Sequence, residues 1–145
     1  MVHAFVKETL EAPAAEVWAS IRDFQAIDRY LPAILESRMQ GSGLGAIRRL
    51  KLSNSSQVVE RLEALDERTR TLRYSVLETP LAFKDYVATM RVSERGPERC
   101  EVEWSSTFTA EEGEAPRIKK VIERLYVMGI EGLKRIHERS GSRPS

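Results

Sequence analysis

Cysteine and histidine are nearly absent: the 145-residue sequence carries one cysteine, Cys100, and two histidines, His3 and His137. A single cysteine excludes an intrachain disulfide and any zinc site built on several thiolates. Two histidines near opposite ends of the chain, both expected at the surface, argue against a hydrolytic triad. There is no HExxH and no paired-histidine spacing for a metal. Cys100 has no neighbouring histidine to stabilise a thiolate, so a structural role is expected for it. No metal or cofactor is expected. Charge of one sign is lacking as well: the net charge is +1, and Lys and Arg are interleaved with Asp and Glu, a pattern that argues against a nucleic-acid partner. No apolar run approaches the ~20 residues that span a bilayer, so stable membrane insertion is not expected. The opening Met1-Val2-His3-Ala4-Phe5 lacks the basic start and apolar stretch of a secretion signal, which reads as a cytoplasmic protein. For the same reason the glycosylation sequon at Asn54-Ser55-Ser56 is discounted. Gly41-Ser42-Gly43-Leu44-Gly45 is a turn and not a phosphate loop, because no Gly-Lys-Ser/Thr follows.

What is present is an ordinary globular balance, 41% hydrophobic and 31% charged residues, in a chain long enough to bury a core. One domain over residues 1–139 is expected, with a disordered tail at 140–145. From Ala46 to Phe108 apolar residues recur every second position in five runs, 46–52, 57–65, 69–77, 83–92 and 99–109, each ended by a polar or Gly/Pro turn. That period predicts antiparallel strands joined by hairpins. Val2–Leu10 reads as a first strand. Pro13 opens a helix with Val17, Trp18 and Ile21 on its apolar stripe. A short helix over 25–30 ends before Pro32, and Ile34–Gln40 reads as a second strand. Over 116–137 the period turns helical, with Ile118, Ile122, Leu125, Gly129, Gly132 and Ile136 in the stripe. Glycine inside a helix costs roughly 1 kcal/mol relative to alanine, so Gly129 and Gly132 point to close approach of the helix to the sheet.

Alternation sorts the strands into two faces. One collects Arg48, Leu50, Leu52, Val58, Glu60, Leu62, Leu72, Tyr74, Val76, Tyr86, Ala88, Met90, Val102, Trp104, Ser106 and Phe108. The other is polar, with Arg49, Lys51, Arg61, Glu63, Arg73, Asp85, Glu101 and Glu103. The first set is the concave, helix-facing side. An apolar concavity with few polar groups is the composition of a small-molecule pocket; the alternative is a filled core that holds a buried ion pair. A turn centred on Ser55 places Leu50 across from Glu60, with Arg48 diagonal to it. In one reading Arg48 and Glu60 merely neutralise each other. In the other, Arg48 orients an oxygen while Glu60, Tyr74 or Tyr86 moves a proton, and these four are the candidate catalytic residues.

The motifs Ala12-Pro13-Ala14-Ala15-Glu16-Val17-Trp18, Ile21-Arg22-Asp23-Phe24, Leu31-Pro32, Gly43-Leu44-Gly45-Ala46-Ile47-Arg48, Val59-Glu60-Arg61-Leu62-Glu63-Ala64-Leu65-Asp66, Leu72-Arg73-Tyr74-Ser75-Val76, Tyr86-Val87-Ala88-Thr89 and Val102-Glu103-Trp104 follow one another in an order that resembles the START-related helix-grip superfamily, SRPBCC. Within it they are most similar to the polyketide cyclase/dehydrase branch. The resemblance implies an α+β fold in the order β-α-α-β6-α, a seven-stranded antiparallel sheet gripping the C-terminal helix over a hydrophobic cavity. The stretch from Gly45 to Ala88 is also similar to plant abscisic-acid receptors. That likeness puts Leu50, Leu52, Glu60, Tyr74, Val76, Phe83, Tyr86 and Ala88 at cavity-lining positions, with Val121 and Leu125 from the helix. Alternation adds Val58, Leu62, Met90 and Trp104. No lysine stands on the inner face of the early strands and the Asn54 turn is short, so a hormone-receptor role is not implied. The expected function is binding of a hydrophobic or amphipathic small molecule, lipid-, polyketide- or aromatic-like. A polyketide cyclase or dehydratase, and a protein-interaction module, are the alternatives.

Overall fold

The computed structural model describes residues 1–138; the tail expected at 140–145 lies outside the described residues. The chain forms strand β1 (Val2–Leu10), helix α1 (Ala14–Arg22), a 3-10 helix (Phe24–Arg29), strands β2 (Ile34–Gln40), β3 (Ile47–Leu52), β4 (Gln57–Asp66), β5 (Thr71–Glu78), β6 (Phe83–Gly96) and β7 (Arg99–Ala110), and helix α2 (Ala115–His137). The strands form one seven-stranded sheet in the order β1-β7-β6-β5-β4-β3-β2, and every pairing is antiparallel. This is the expected α+β helix-grip architecture. Among the described residues only the β1–β7 pair is non-sequential: β1 docks on the last strand.

Local chemistry sets the boundaries. Pro13 stands just before α1, and its carbonyl accepts the amides of Glu16 and Val17. Asp66 Oδ1 accepts the amides of Arg68 and Thr69, and Arg70 takes a positive φ of 51°. This capped turn delays β5 to Thr71, beyond the expected start at 69. Strand β6 in turn runs past the expected 92, because Ser93 and Glu94 go on pairing with Glu101 and Cys100. Their polar side chains gave no apolar alternation to read. The short helix expected over 25–30 is a 3-10 turn one residue earlier.

Two placements differ from the sequence reading. Arg48 lies directly opposite Glu60, and Leu50 opposite Val58. The hairpin is therefore centred on Asn54, one residue before the expected centre. The cause is local: Asn54 Oδ1 accepts the Ser56 amide, and Ser55 adopts φ 72°. On α2, Ile136 is 48% exposed, and the buried row is Ile118, Ile122, Tyr126, Gly129, Ile130, Gly132 and Leu133. That row follows the i, i+4 spacing more closely than the stripe through Leu125 and Ile136.

The core fills the space between the concave sheet face and the helices. Leu10, Ile21, Leu72, Met90, Val102, Trp104, Phe108, Ile118, Ile130 and Leu133 are buried together there. Trp18 on α1 is buried and donates its indole N–H to Glu67 Oε1 at 2.7 Å, tying the helix to the β4–β5 turn. Gly129 and Gly132 do permit close approach. A Cβ at Gly129 would lie 2.6 Å from the Trp104 ring, and one at Gly132 would lie 1.8 Å from the Tyr30 carbonyl oxygen.

Candidate functional site

Between the sheet and α2, at the end away from α1, a cavity of about 130 Å³ remains. Its sheet wall is built from Leu50, Leu52, Val58, Glu60, Tyr74, Val76, Phe83, Tyr86 and Trp104, and Leu125 closes it from α2. The remaining wall comes from Ile27, Leu31, Ala33 and Ile34 around the 3-10 helix, from Thr79, Pro80 and Leu81 between β5 and β6, and from Ile122 and Tyr126 on α2. Leu52, Val58, Thr79, Leu81 and Leu125 are half-buried and Pro80 is exposed, so the mouth lies between the β3–β4 hairpin, the β5–β6 loop and α2.

Four of the expected lining residues stand elsewhere. Leu62, Ala88 and Met90 lie on the concave face but are packed into the core outside the cavity. Val121 is one position off the buried row and lines a shallow surface groove with Arg117, Lys120 and Arg124. Conversely, Tyr126 lines the cavity although the expected helical stripe passes through Leu125; its signal in the sequence is the i+4 step from Ile122. Thr79, Pro80 and Leu81 lie in a segment with no periodicity at all.

The polar end of the cavity is set by Arg48 and Glu60. Arg48 Nε donates to Glu60 Oε1 at 2.7 Å, and Nη1 donates to the Phe24 carbonyl at 2.6 Å. Nη2 lies 2.6 Å from the same Oε1, an ion contact without hydrogen-bond alignment. The guanidinium is also held between two rings, 3.8 Å from the Phe24 centroid and 4.9 Å from that of Tyr74, a favourable cation–π arrangement. Arg48 is 2% exposed and does not line the cavity; Glu60, 7% exposed, does. Arg48 thus anchors Glu60 from behind and is not presented to the void.

Opposite stands an aromatic cluster. Trp104 Nε1 donates to the Tyr74 hydroxyl at 3.1 Å, and the Tyr86 and Tyr126 hydroxyls are hydrogen-bonded to each other. The Trp104 and Tyr126 rings stack at 4.5 Å with 12° between planes. Burial pushes the Tyr74 and Tyr86 phenols well above their ordinary value, and the Glu60 charge pushes them further. Tyr126 is raised by the same two causes. Tyr30, edge-on to Trp104 at 6.5 Å, is pushed up to about 12 by burial. At neutral pH these phenols are uncharged donors and not bases.

Other groups take no part. Burial raises the Cys100 thiol to about 11, so it offers no thiolate. His137 is half-buried and not at the surface as expected, with Nε2 2.7 Å from the Ser20 hydroxyl. Among the described residues no group of His, Cys, Asp and Glu could hold a metal ion, and no helix is long and apolar enough to cross a membrane.

Residues 1–138 match the family model described as polyketide cyclase / dehydrase and lipid transport. The chain belongs to this polyketide cyclase/dehydrase and lipid transport family. No curated protein matches the sequence. Among solved structures, the protein XoxI of Bacillus cereus is 26% identical with a TM-score of 0.88, over 94% of this chain and 96% of that one. A protein of Thermobifida fusca is 28% identical with a TM-score of 0.85, over 92% and 91%. The Zhui aromatase/cyclase from Streptomyces sp. R1128, 20% identical with a TM-score of 0.82 over 96% and 94%, shares the fold.

Proposed function

We propose that this polyketide cyclase/dehydrase family member binds a small hydrophobic or amphipathic molecule in the cavity under α2. The observation that carries this reading is the void itself. It is lined by apolar and aromatic side chains, with one carboxylate and three phenols gathered on its inner walls. Its volume of about 130 Å³ is close to the ~150 Å³ cavity that accepts benzene, and below the ~300–1,000 Å³ of drug-sized pockets. It suits one ring-sized group, and a longer molecule would extend through the mouth beside Pro80 and Leu125.

Binding without chemistry is favoured over cyclisation or dehydration. A general base needs a free group, and the cavity's single carboxylate is already engaged by Arg48, while its phenols are neutral. Leu125→Trp tests the reading. An environment-sensitive aromatic dye should bind the native protein one-to-one, and the indole should fill the void and weaken that binding at least tenfold while the fold persists. Equal affinity in the two proteins would show that the dye sits elsewhere.

A further inference from the structure

We infer that the cavity selects a ring bearing a neutral hydroxyl, a phenol or a cyclic alcohol, over carboxylates and ammonium ions; this rests on the small-molecule reading above. The argument is one of charge and hydrogen-bond inventory. Glu60 is the cavity's one carboxylate, and Arg48 directly behind it cancels its charge. The other ionisable groups in the wall are the phenols of Tyr74, Tyr86 and Tyr126. The site is therefore neutral as it stands, and an unpaired ion taken from water into such a place loses its hydration without gaining a counter-charge.

A carboxylate would meet the Glu60 carboxylate with no cation to receive it. Arg48 is not part of the cavity wall: it is held by Glu60 Oε1, the Phe24 carbonyl and the rings of Phe24 and Tyr74. An ammonium would compete with Arg48 for the same carboxylate and leave one positive charge over. A hydroxyl fits both needs, since it donates one hydrogen bond and accepts others. Both contacts from Arg48 fall on Glu60 Oε1, and among the described residues none donates to Oε2, which can accept a hydrogen bond from the ligand's hydroxyl. The Tyr74, Tyr86 and Tyr126 hydroxyls form a hydrogen-bonded chain beside the void, with Ser106 next to Tyr126, and a phenol of this chain that turns its proton toward the void donates to the ligand's oxygen. The rings of Phe83, Tyr86 and Trp104 supply the flat walls.

Four probes of one ring each test this on the full chain: p-cresol, toluene, benzoate and benzylamine, titrated while the Trp104 indole resonance is followed. p-Cresol should bind at least fivefold more tightly than each of the other three. Toluene is included because it strips solvent from Oε2 and returns no hydrogen bond. A smaller advantage over any of the three overturns the selectivity. If none of the four moves the Trp104 resonance, the small-molecule reading itself fails. Glu60→Gln leaves the Arg48 charge uncompensated, so benzoate should become the tightest of the four; an unchanged ranking in a folded variant contradicts the charge argument. Should that variant not fold, Arg48→Met with Glu60→Leu gives a neutral cavity without the carboxylate acceptor. There the advantage of p-cresol over toluene should fall below twofold, and its persistence would overturn the role given to Glu60.

Discussion

Gly132 of α2 lies against the backbone of Tyr30, so closely that a Cβ would come within 1.8 Å of the Tyr30 carbonyl oxygen. A backbone atom cannot rotate away as a side chain can. In an isolated helix, Gly132→Ala would gain about 1 kcal/mol; here the clash reverses the sign. We expect a loss of about 3 kcal/mol or more, at the upper end of overpacking effects, read as a lower urea midpoint. Gly129→Ala meets the buried Trp104 ring at 2.6 Å and should lose less, about 1–3 kcal/mol. A Gly132→Ala protein as stable as the native one would mean that α2 does not sit this close.

The Arg48–Glu60 pair should show strong non-additivity. Arg48→Met leaves the Glu60 carboxylate buried without its counter-charge, and about 3–5 kcal/mol should be lost. Adding Glu60→Leu removes the stranded charge and should restore most of that loss. Arg48→Lys should not substitute, because an ammonium cannot stack between Phe24 and Tyr74 while reaching both Glu60 and the Phe24 carbonyl. If the effects of Arg48→Met and Glu60→Leu simply add, the pair is not coupled as its geometry requires.

How much of this was legible in the sequence depends on which residues carried a period. Tyr74, Tyr86, Trp104 and Glu60 were placed on the concave face because strand alternation admits only two faces. The opposition of Arg48 and Glu60 was not legible to the residue, because it depends on the Asn54–Ser55 turn, where a one-residue change in centre shifts the pairing by two. On α2, Leu125 and Tyr126 are adjacent, and a helical period alone does not choose between two neighbouring rows. The buried hydroxyl of Tyr126 became intelligible only with Tyr86 across from it. Ala33, Thr79, Pro80 and Leu81 reach the cavity from irregular segments, where position is a tertiary outcome.

The protein's four tyrosines are all buried, and all have raised pKa values, which makes alkaline stability a sharp test. Each phenol keeps its proton in the folded state and loses it near pH 10 once unfolded. Above that pH the unfolded chain binds fewer protons than the folded one, so stability falls as pH rises. It is fully present below about 10 and is lost toward the folded values, about 12 for Tyr30. The slope is about 1.4 kcal/mol per pH unit for each tyrosine, hence about 5.5 for all four together. Tyrosinate absorbance should therefore appear in one cooperative step that coincides with loss of circular dichroism. A phenol titrating near pH 10 while the protein remains folded would contradict the burial of that residue.

The two tryptophans should report differently on ligand. Both are buried, Trp18 at 5% and Trp104 at 1% exposure, so iodide should quench neither efficiently. Their surroundings are distinct. Trp18 is bonded to Glu67 in the turn between β4 and β5, whereas Trp104 lines the cavity, donates to Tyr74 and stacks on Tyr126. Filling the cavity changes the packing and polarity around Trp104 and leaves Trp18 alone. In Trp18→Phe, where Trp104 is the remaining emitter, p-cresol should shift or quench the fluorescence saturably. In Trp104→Phe the same titration should produce little change, although some binding survives. The opposite assignment would put the ligand beside Trp18 and the β4–β5 turn, outside the cavity that Glu60 lines, and would remove the Glu60 carboxylate from any part in recognising it.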